Sequence, residues 1–264
     1  MPKYVEPKNR ILNCLPSTKP EQDWEFSHAM NSGMLAAAPG ALPAAVDLRE
    51  AWWVIGDQGA TGSCVGWSTA DAVVRWHLVK TGKLAQTDSL SVRYVWMAAK
   101  ETDEFTTRPT SFIEDEGTSL KAALDVARKL GVVLEPVLPF GKAQLYQGDA
   151  KTFYALAAGL KIKAYFNLHT NLGNWRTWLA TKGPILTRLG VDATWDNASN
   201  TAGKLDVYQP QTVRGGHAVA LVGYMADRVI VRNSWGTQWG DGGFGYASFA
   251  YAQAAFTESY GISV

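Results

Sequence analysis

The segment Asp57-Gln58-Gly59-Ala60-Thr61-Gly62-Ser63-Cys64 ends on one of only two cysteines in the chain. Its glycines and small residues make a loop that leads straight into an apolar-periodic stretch. Cys64 is therefore placed at a helix N-terminus, where free N–H groups and the helix dipole favour an anion. An ordinary thiol near pKa 8.5 is only about 3% thiolate at pH 7. Bringing it to about 4, the range that histidine-paired thiols reach, needs about 6 kcal/mol. A helix end contributes roughly 0.3–2 kcal/mol of that. The chemistry thus demands an imidazolium partner for Cys64.

Four histidines are available. His77 lies inside the helical stretch beside Trp76 and reads as a packing or surface residue. His28 falls in an irregular N-terminal region and His169 in a polar loop, neither with supporting context. His217 follows Gly215-Gly216 and opens the β-rich run Ala218 to Tyr224, so a sheet can aim its imidazole across a cleft. A catalytic histidine needs a third group to fix its tautomer and orientation. Asn233 is the candidate, sixteen positions on, at the end of the next strand-like run. By itself an asparagine before a turn is more often turn chemistry.

The elements that must position these residues follow from periodicity. A helix is expected from about Cys64 to Lys80, with Ser63 as N-cap, an apolar stripe of Val65, Ala72, Val73 and Trp76, and Gly82 as the stop. Further helices are expected over about Ser119–Leu130, Asn174–Lys182 and between Ser89 and Lys100. After Pro184 the chain turns β-rich, with runs at Ile185–Leu189, His217–Tyr224, Arg228–Arg232 and Phe244–Ala247. Helices first and strands later predict an α+β fold, a helical lobe facing a sheet lobe.

Residues 1 to about 45 differ. Pro2, Pro7, Pro16, Pro20 and Pro39 interrupt any period, and the alanine-rich end reads as a linker, so this part is an extension and not a domain. The 264 residues carry 25 basic and 24 acidic side chains for a net charge of +1, which argues against nucleic acid or an anionic membrane as partner. The two cysteines, Cys14 and Cys64, exclude a disulfide scaffold, and neither sits in a zinc-ligand pattern, so no metal or other cofactor is expected. No secretory signal is evident. The stretch from Leu35 to Val46 is too short and too proline-broken to span a bilayer, so the chain reads as soluble, cytoplasmic or exported without a classical signal.

Gln58-Gly59-x-x-Gly62-Ser63-Cys64, Gly216-His217-Ala218-Val219 and Asn233-Ser234-Trp235-Gly236-x-x-Trp239-Gly240 occur in this order, with His217 153 positions after Cys64. The set resembles the papain family of cysteine peptidases, in which about 130–150 residues separate the two. Leu42-Pro43-x-x-Val46-Asp47-Leu48-Arg49 resembles the start of that family's mature chain, so the likeness divides the sequence into an extension, 1–41, and a peptidase domain, 42–264. It implies a two-lobed papain-like fold, with Cys64 on the helical lobe, His217 and Asn233 on an antiparallel barrel-like lobe, and the active-site cleft between. It implies a cysteine endopeptidase working on polypeptides as a monomer through an acyl-enzyme. Gln58 and the Cys64 N–H would bind the oxyanion, Trp235 would cover the Asn233–His217 bond with Trp239 stacked nearby, and Gly117 would pair with extended substrate. The absent disulfides, the Val65 that stands where the family has an aromatic, and the short extension suggest a bacterial-type branch.

A deamidase or transamidase would use the same triad. A silent binding module would be expected to have lost Cys64, His217 or Gln58. The extension is expected to lie in or beside the cleft and restrain the enzyme, since a tethered segment needs only weak contacts. Cys14 within it could touch the nucleophile, but a bystander thiol is the stronger expectation.

Overall fold

The expected helix at Cys64 forms, as one continuous run in three parts: Cys64–Gly66, a wider π-helical stretch Trp67–Val74, and Arg75–Lys80. The computed structural model in which it is seen describes residues 4–35, 41–102, 115–141 and 146–264. Ser63 stands at the N-cap but does not cap: its hydroxyl bonds the Thr61 hydroxyl at 2.6 Å, and no side chain closes the first turn. The neighbouring Thr61 outcompetes the backbone for it. The amides at the Cys64 end are thereby left for another acceptor.

This central helix is crossed closely by the helix Val92–Thr102. A methyl group at Gly66 would come within 2.8 Å of both the Val92 carbonyl oxygen and Trp96 Cβ, so only glycine permits the approach. The third helix, Leu120–Lys129, is capped by Ser119, whose hydroxyl accepts from the Ala122 N–H, and it buries the stripe Leu120, Ala123, Leu124 and Ala127. These three helices enclose the core of the helical lobe, with Val65, Val73, Val95 and Ala99.

The strands are β1 (Val46–Asp47), β2 (Ala164–Asn167), β3 (Ile185–Val191), β4 (Lys204–Leu205), β5 (Gly215–Tyr224), β6 (Arg228–Arg232), β7 (Phe244–Ser248) and β8 (Phe256–Ser263). They form one sheet in the order β2-β8-β3-β5-β6-β7-β4, with β1 paired to β5. All pairs are antiparallel except β4 with β7. The central strand β5 explains its own sequence. Ala218, Ala220 and Val222 face the helical core, while Val219 and Leu221 face a second core. A strand buried on both faces reads as an unbroken apolar run because successive side chains alternate.

The second core belongs to the sheet lobe and holds Trp175, Trp178, Trp195, Trp235 and Trp239. The fold is thus α+β with two lobes, as expected. Helices Ala150–Ala158 and Phe249–Ala255 were not foreseen, nor were strands β1, β2, β4 and β8. β8 carries Thr257, Glu258, Ser259 and Gly261 and becomes a strand through its pairing on both sides, with β2 and β3. The extension is not wholly irregular either. It contains the short helix Phe26–Asn31, where His28 Nδ1 accepts the Glu25 N–H at 2.9 Å. The expected alanine-rich linker falls mostly on residues 36–40, outside the described residues.

Candidate active site

Cys64 and His217 come from opposite lobes and meet at the cleft floor, both fully buried. The central helix docks over β5 through the Ser68 hydroxyl, which donates to the Ala218 carbonyl at 2.7 Å. That contact sets the helix end beside the strand mouth. His217 Nε2 lies 2.8 Å from Asn233 Oδ1. The same oxygen accepts the Ser234 N–H at 2.8 Å, so it is an acceptor and Nε2 carries the proton. In the neutral ring Nδ1 is then the free base, without a hydrogen-bond partner among the described residues, and His217 stands near enough to Cys64 to lower its pKa. A hydrogen bond from the Cys14 thiol, then the His217 imidazole and the Ala218 backbone, hold the Cys64 thiol well below the ordinary cysteine range, against the effect of burial.

Gln58 sits in the loop before the nucleophile. Its Oε1 accepts the Ser234 hydroxyl at 2.9 Å and its Nε2 donates to the Thr61 carbonyl at 2.9 Å, which leaves one amide hydrogen uncommitted. Its backbone N–H donates to Ser234 O at 2.8 Å. The residue next to Asn233 thereby orients Gln58, so the triad side and the oxyanion side share one linkage. Trp235 packs on His217 with ring centroids 4.9 Å apart. Trp239 lies one ring further out, 5.7 Å from Trp235. Sequence reasoning missed Trp195, which meets His217 edge-on at 5.7 Å and stacks on Trp239 at 4.8 Å. It sits in an irregular 3₁₀ stretch, Ala193–Thr201, with no periodicity to point inward. Among the described residues, no group of three or more His, Cys, Asp or Glu could hold a metal ion.

The extension runs through the groove between the lobes. Cys14 N–H donates to the Gly216 carbonyl and Leu15 N–H to the Thr118 carbonyl, both at 3.0 Å, one contact on each lobe. Arg188 Nε donates to the Cys14 carbonyl at 2.9 Å. A methyl group at Gly117 would lie 2.0 Å from the Asn13 carbonyl oxygen, and one at Gly216 2.3 Å from that of Cys14. Glycine at these two positions is what lets a peptide backbone settle so close. Upstream, buried Arg10 ion-pairs with Asp57 and donates to Gly59 O at 3.1 Å and Trp235 O at 3.0 Å. Downstream, Ser17 N–H donates to Glu258 at 3.0 Å, and Asp23 takes an ion pair from Lys121 at 2.5 Å and the Tyr260 hydroxyl at 2.9 Å. Cys14 is therefore no bystander. Its thiol is buried in the core that also holds Cys64 and reaches the Leu15 carbonyl at 3.8 Å, and burial pushes its pKa well above the usual range, so it is the protonated thiol of the two. The sequence offered this only as the weaker of two readings, because the two cysteines are fifty positions apart and no local feature joins them.

The family model described as papain family cysteine protease matches residues 42–261. Thiol protease SEN102 of Hemerocallis sp. is 29% identical over 218 residues, 78% of this chain and 54% of the relative. A cathepsin L-like proteinase of Fasciola hepatica is 25% identical over 214 residues, 77% and 60% respectively. This chain thus spans little more than half the length of the curated relatives it matches. Among solved structures, xylellain, a cysteine protease from Xylella fastidiosa, aligns with a TM-score of 0.76 over 100% of this chain and 98% of its own at 21% identity, a likeness of fold. Since the family match runs from before the Cys64 loop to beyond Asn233, the chain belongs to the papain family of cysteine proteases.

Proposed function

We propose that the chain is a cysteine endopeptidase acting on polypeptides, with residues 42–264 as the catalytic domain and residues 1–41 as a built-in cover. The observation that carries the reading is the Cys64–His217–Asn233 constellation at a helix N-terminus. The Cys64 thiolate attacks a peptide carbonyl carbon. Negative charge moves to the carbonyl oxygen, where the spare Gln58 amide hydrogen and the uncapped Cys64 N–H receive it. The His217 imidazolium gives its Nδ1 proton to the departing amine, leaving an acyl-enzyme. Water then enters, His217 takes its proton, and the acid is released. Asn233 keeps the imidazole in the useful tautomer, and Trp195 and Trp235 keep water from that bond.

The covering role of the extension follows from what it presents. Where a scissile carbonyl must stand, Cys14 offers a thiol. Its own carbonyl points toward Gly216 and Arg188 and is not presented to Gln58. Such a segment fills the groove without being cut. Gly117 meets the extension's backbone here and would meet a substrate's backbone once the extension leaves.

The test follows one peptide pool by mass for four proteins: the full chain, a chain starting at Leu42, and each with Cys64→Ala. Hydrolysis products are expected from the Leu42 chain, fewer from the full chain and none from either Cys64→Ala protein. Products that differ from the peptides only by deamidation or cross-linking would replace the peptidase reading with another acyl transfer. Equal kcat/KM for the two wild-type lengths would remove the covering role.

A further inference from the structure

The chain has two cysteines, 50 residues apart, and the fold buries both in one core, with the Cys14 backbone seated between Thr118 on the lobe of Cys64 and Gly216 beside His217. Cys14 is fixed there by its own backbone: N–H to Gly216, C=O from Arg188, and the next N–H to Thr118. Its neighbours Asn13 and Leu15 are only half-buried and Pro16 is exposed, so of these four residues it is Cys14 that the structure buries in the core holding the nucleophile. A serine or alanine would fill that place as well for simple blocking. A second thiol adds something they lack, the capacity to bond covalently to the first.

We infer that Cys14 and Cys64 are a redox pair, and that oxidation joins them in a disulfide which locks the extension into the groove and shelters the nucleophile. The inference rests on the reading of the extension as a cover over Cys64. The oxidant class is a hydroperoxide. When the extension lifts, the Cys64 thiolate attacks one peroxide oxygen. The O–O bond breaks, sulfur keeps the hydroxyl as a sulfenic acid, and the remainder takes a proton and leaves as water or alcohol. Cys64 is oxidised by two electrons and the peroxide is reduced by two. When the extension reseats, Cys14 sulfur attacks Cys64 sulfur, the S–O bond breaks, and the hydroxide leaves as water with the Cys14 proton. The new S–S bond is about 2.05 Å long. A dithiol returns two electrons and two protons and frees both groups.

The alternative fate of an exposed sulfenic acid is further oxidation to the irreversible sulfinic acid. Cys14 intercepts the intermediate first, because it is tethered beside it. Oxidative stress would then store this enzyme as a reversible, cross-linked form, and activation would require both a reductant and release of the extension.

The experiment treats the full chain with hydrogen peroxide, blocks free thiols, and reads intact mass and non-reduced peptide maps. The expected result is a monomer lighter by two hydrogens, one Cys14–Cys64 linked peptide, and full return of both thiols with dithiothreitol. Cys14→Ser is expected to gain oxygen on Cys64 instead, with no return. Oxygen added to Cys64 in the wild type without the linked peptide, or equal recovery in Cys14→Ser, would overturn the pair. The mass readout does not use peptidase activity, so a linked peptide in an inactive protein would count against the enzyme reading alone. A reduced full chain whose Cys64 alkylates as fast as that of the Leu42 chain would instead show that the cover is displaced in solution.

Discussion

Two sets of contacts bridge the lobes, and they are built differently. One belongs to the body of the protein. Arg232, next to Asn233 on the sheet lobe, donates to Asp71 of the central helix at 2.8 Å and to the Val54 carbonyl at 2.8 Å, and Arg75 reaches the other Asp71 oxygen at 3.3 Å. All three charges are buried. The other is the extension, which grips the lobes chiefly through backbone hydrogen bonds around Cys14 and ion pairs at Arg10 and Asp23. A buried charge stripped of its partner is very costly, whereas backbone hydrogen bonds exchange for water at small net loss. The first bridge is therefore a permanent clamp that sets the distance between Cys64 and His217. On the proposed reading the second is the one that leaves, and a backbone that replaced it would meet the same carbonyls at Gly216 and Thr118.

The clamp is broken most directly by Asp71→Ala, which leaves Arg232 and Arg75 buried without their anion. A loss of about 3–5 kcal/mol in urea unfolding is expected. A loss below about 1 kcal/mol would mean that the clamp does not hold the lobes. Gln58 tests whether the body bridge also does chemistry, because it is tied to Ser234 across the cleft. In the Leu42 chain, Gln58→Ala should lower kcat by about 10²–10³ while iodoacetamide modifies Cys64 at an unchanged rate. An unchanged kcat/KM would take Gln58 out of the site.

Acid should act on the body before it acts on the extension. His77 is buried in the central helix, and burial pushes its pKa down to about 4. It is neutral in the folded state and gains its proton more readily unfolded, near 6.5. The stability it confers is complete above pH 6.5 and is lost as pH falls toward 4, roughly 3 kcal/mol in all. His77→Gln should flatten that part of the stability–pH curve, and a slope that survives the substitution would assign it to other groups. The smallest effect is expected at the extension itself. Arg10→Ala removes an ion pair and two carbonyl contacts, about 1.5–3 kcal/mol of closing energy. Activity of the full chain should rise by roughly 10- to 100-fold, with the unfolding midpoint of the body nearly unchanged. A midpoint that falls with no gain in activity would make the extension part of the permanent structure.

Much of this was legible beforehand for identifiable reasons. The helix at Leu120–Lys129 carries strong local periodicity and strands β5 and β6 are short unbroken apolar runs, and their positions were readable to within about two residues. Ser63 was misread as a cap because a serine before a helix has two uses, and the Thr61 hydroxyl took it. The helix Ala150–Ala158 and strand β8 lacked clear stripes, since their burial comes from partners distant in the chain. Trp195 was missed for the same reason, because its place against His217 depends on a turn with no regular period.

The sequence by itself determined which residues could form a thiolate, a base and its orienting group, since those roles require particular side chains at a loop, a strand mouth and a strand end. It also determined that a proline-broken extension precedes them. Only the tertiary structure decided where that extension goes, that Cys14 is buried in the core that holds Cys64, and that Arg232 and Asp71 clamp the lobes from residues 161 positions apart. Local propensity acts over a few residues, whereas these contacts join segments whose meeting is fixed by the packing of two cores around one central strand.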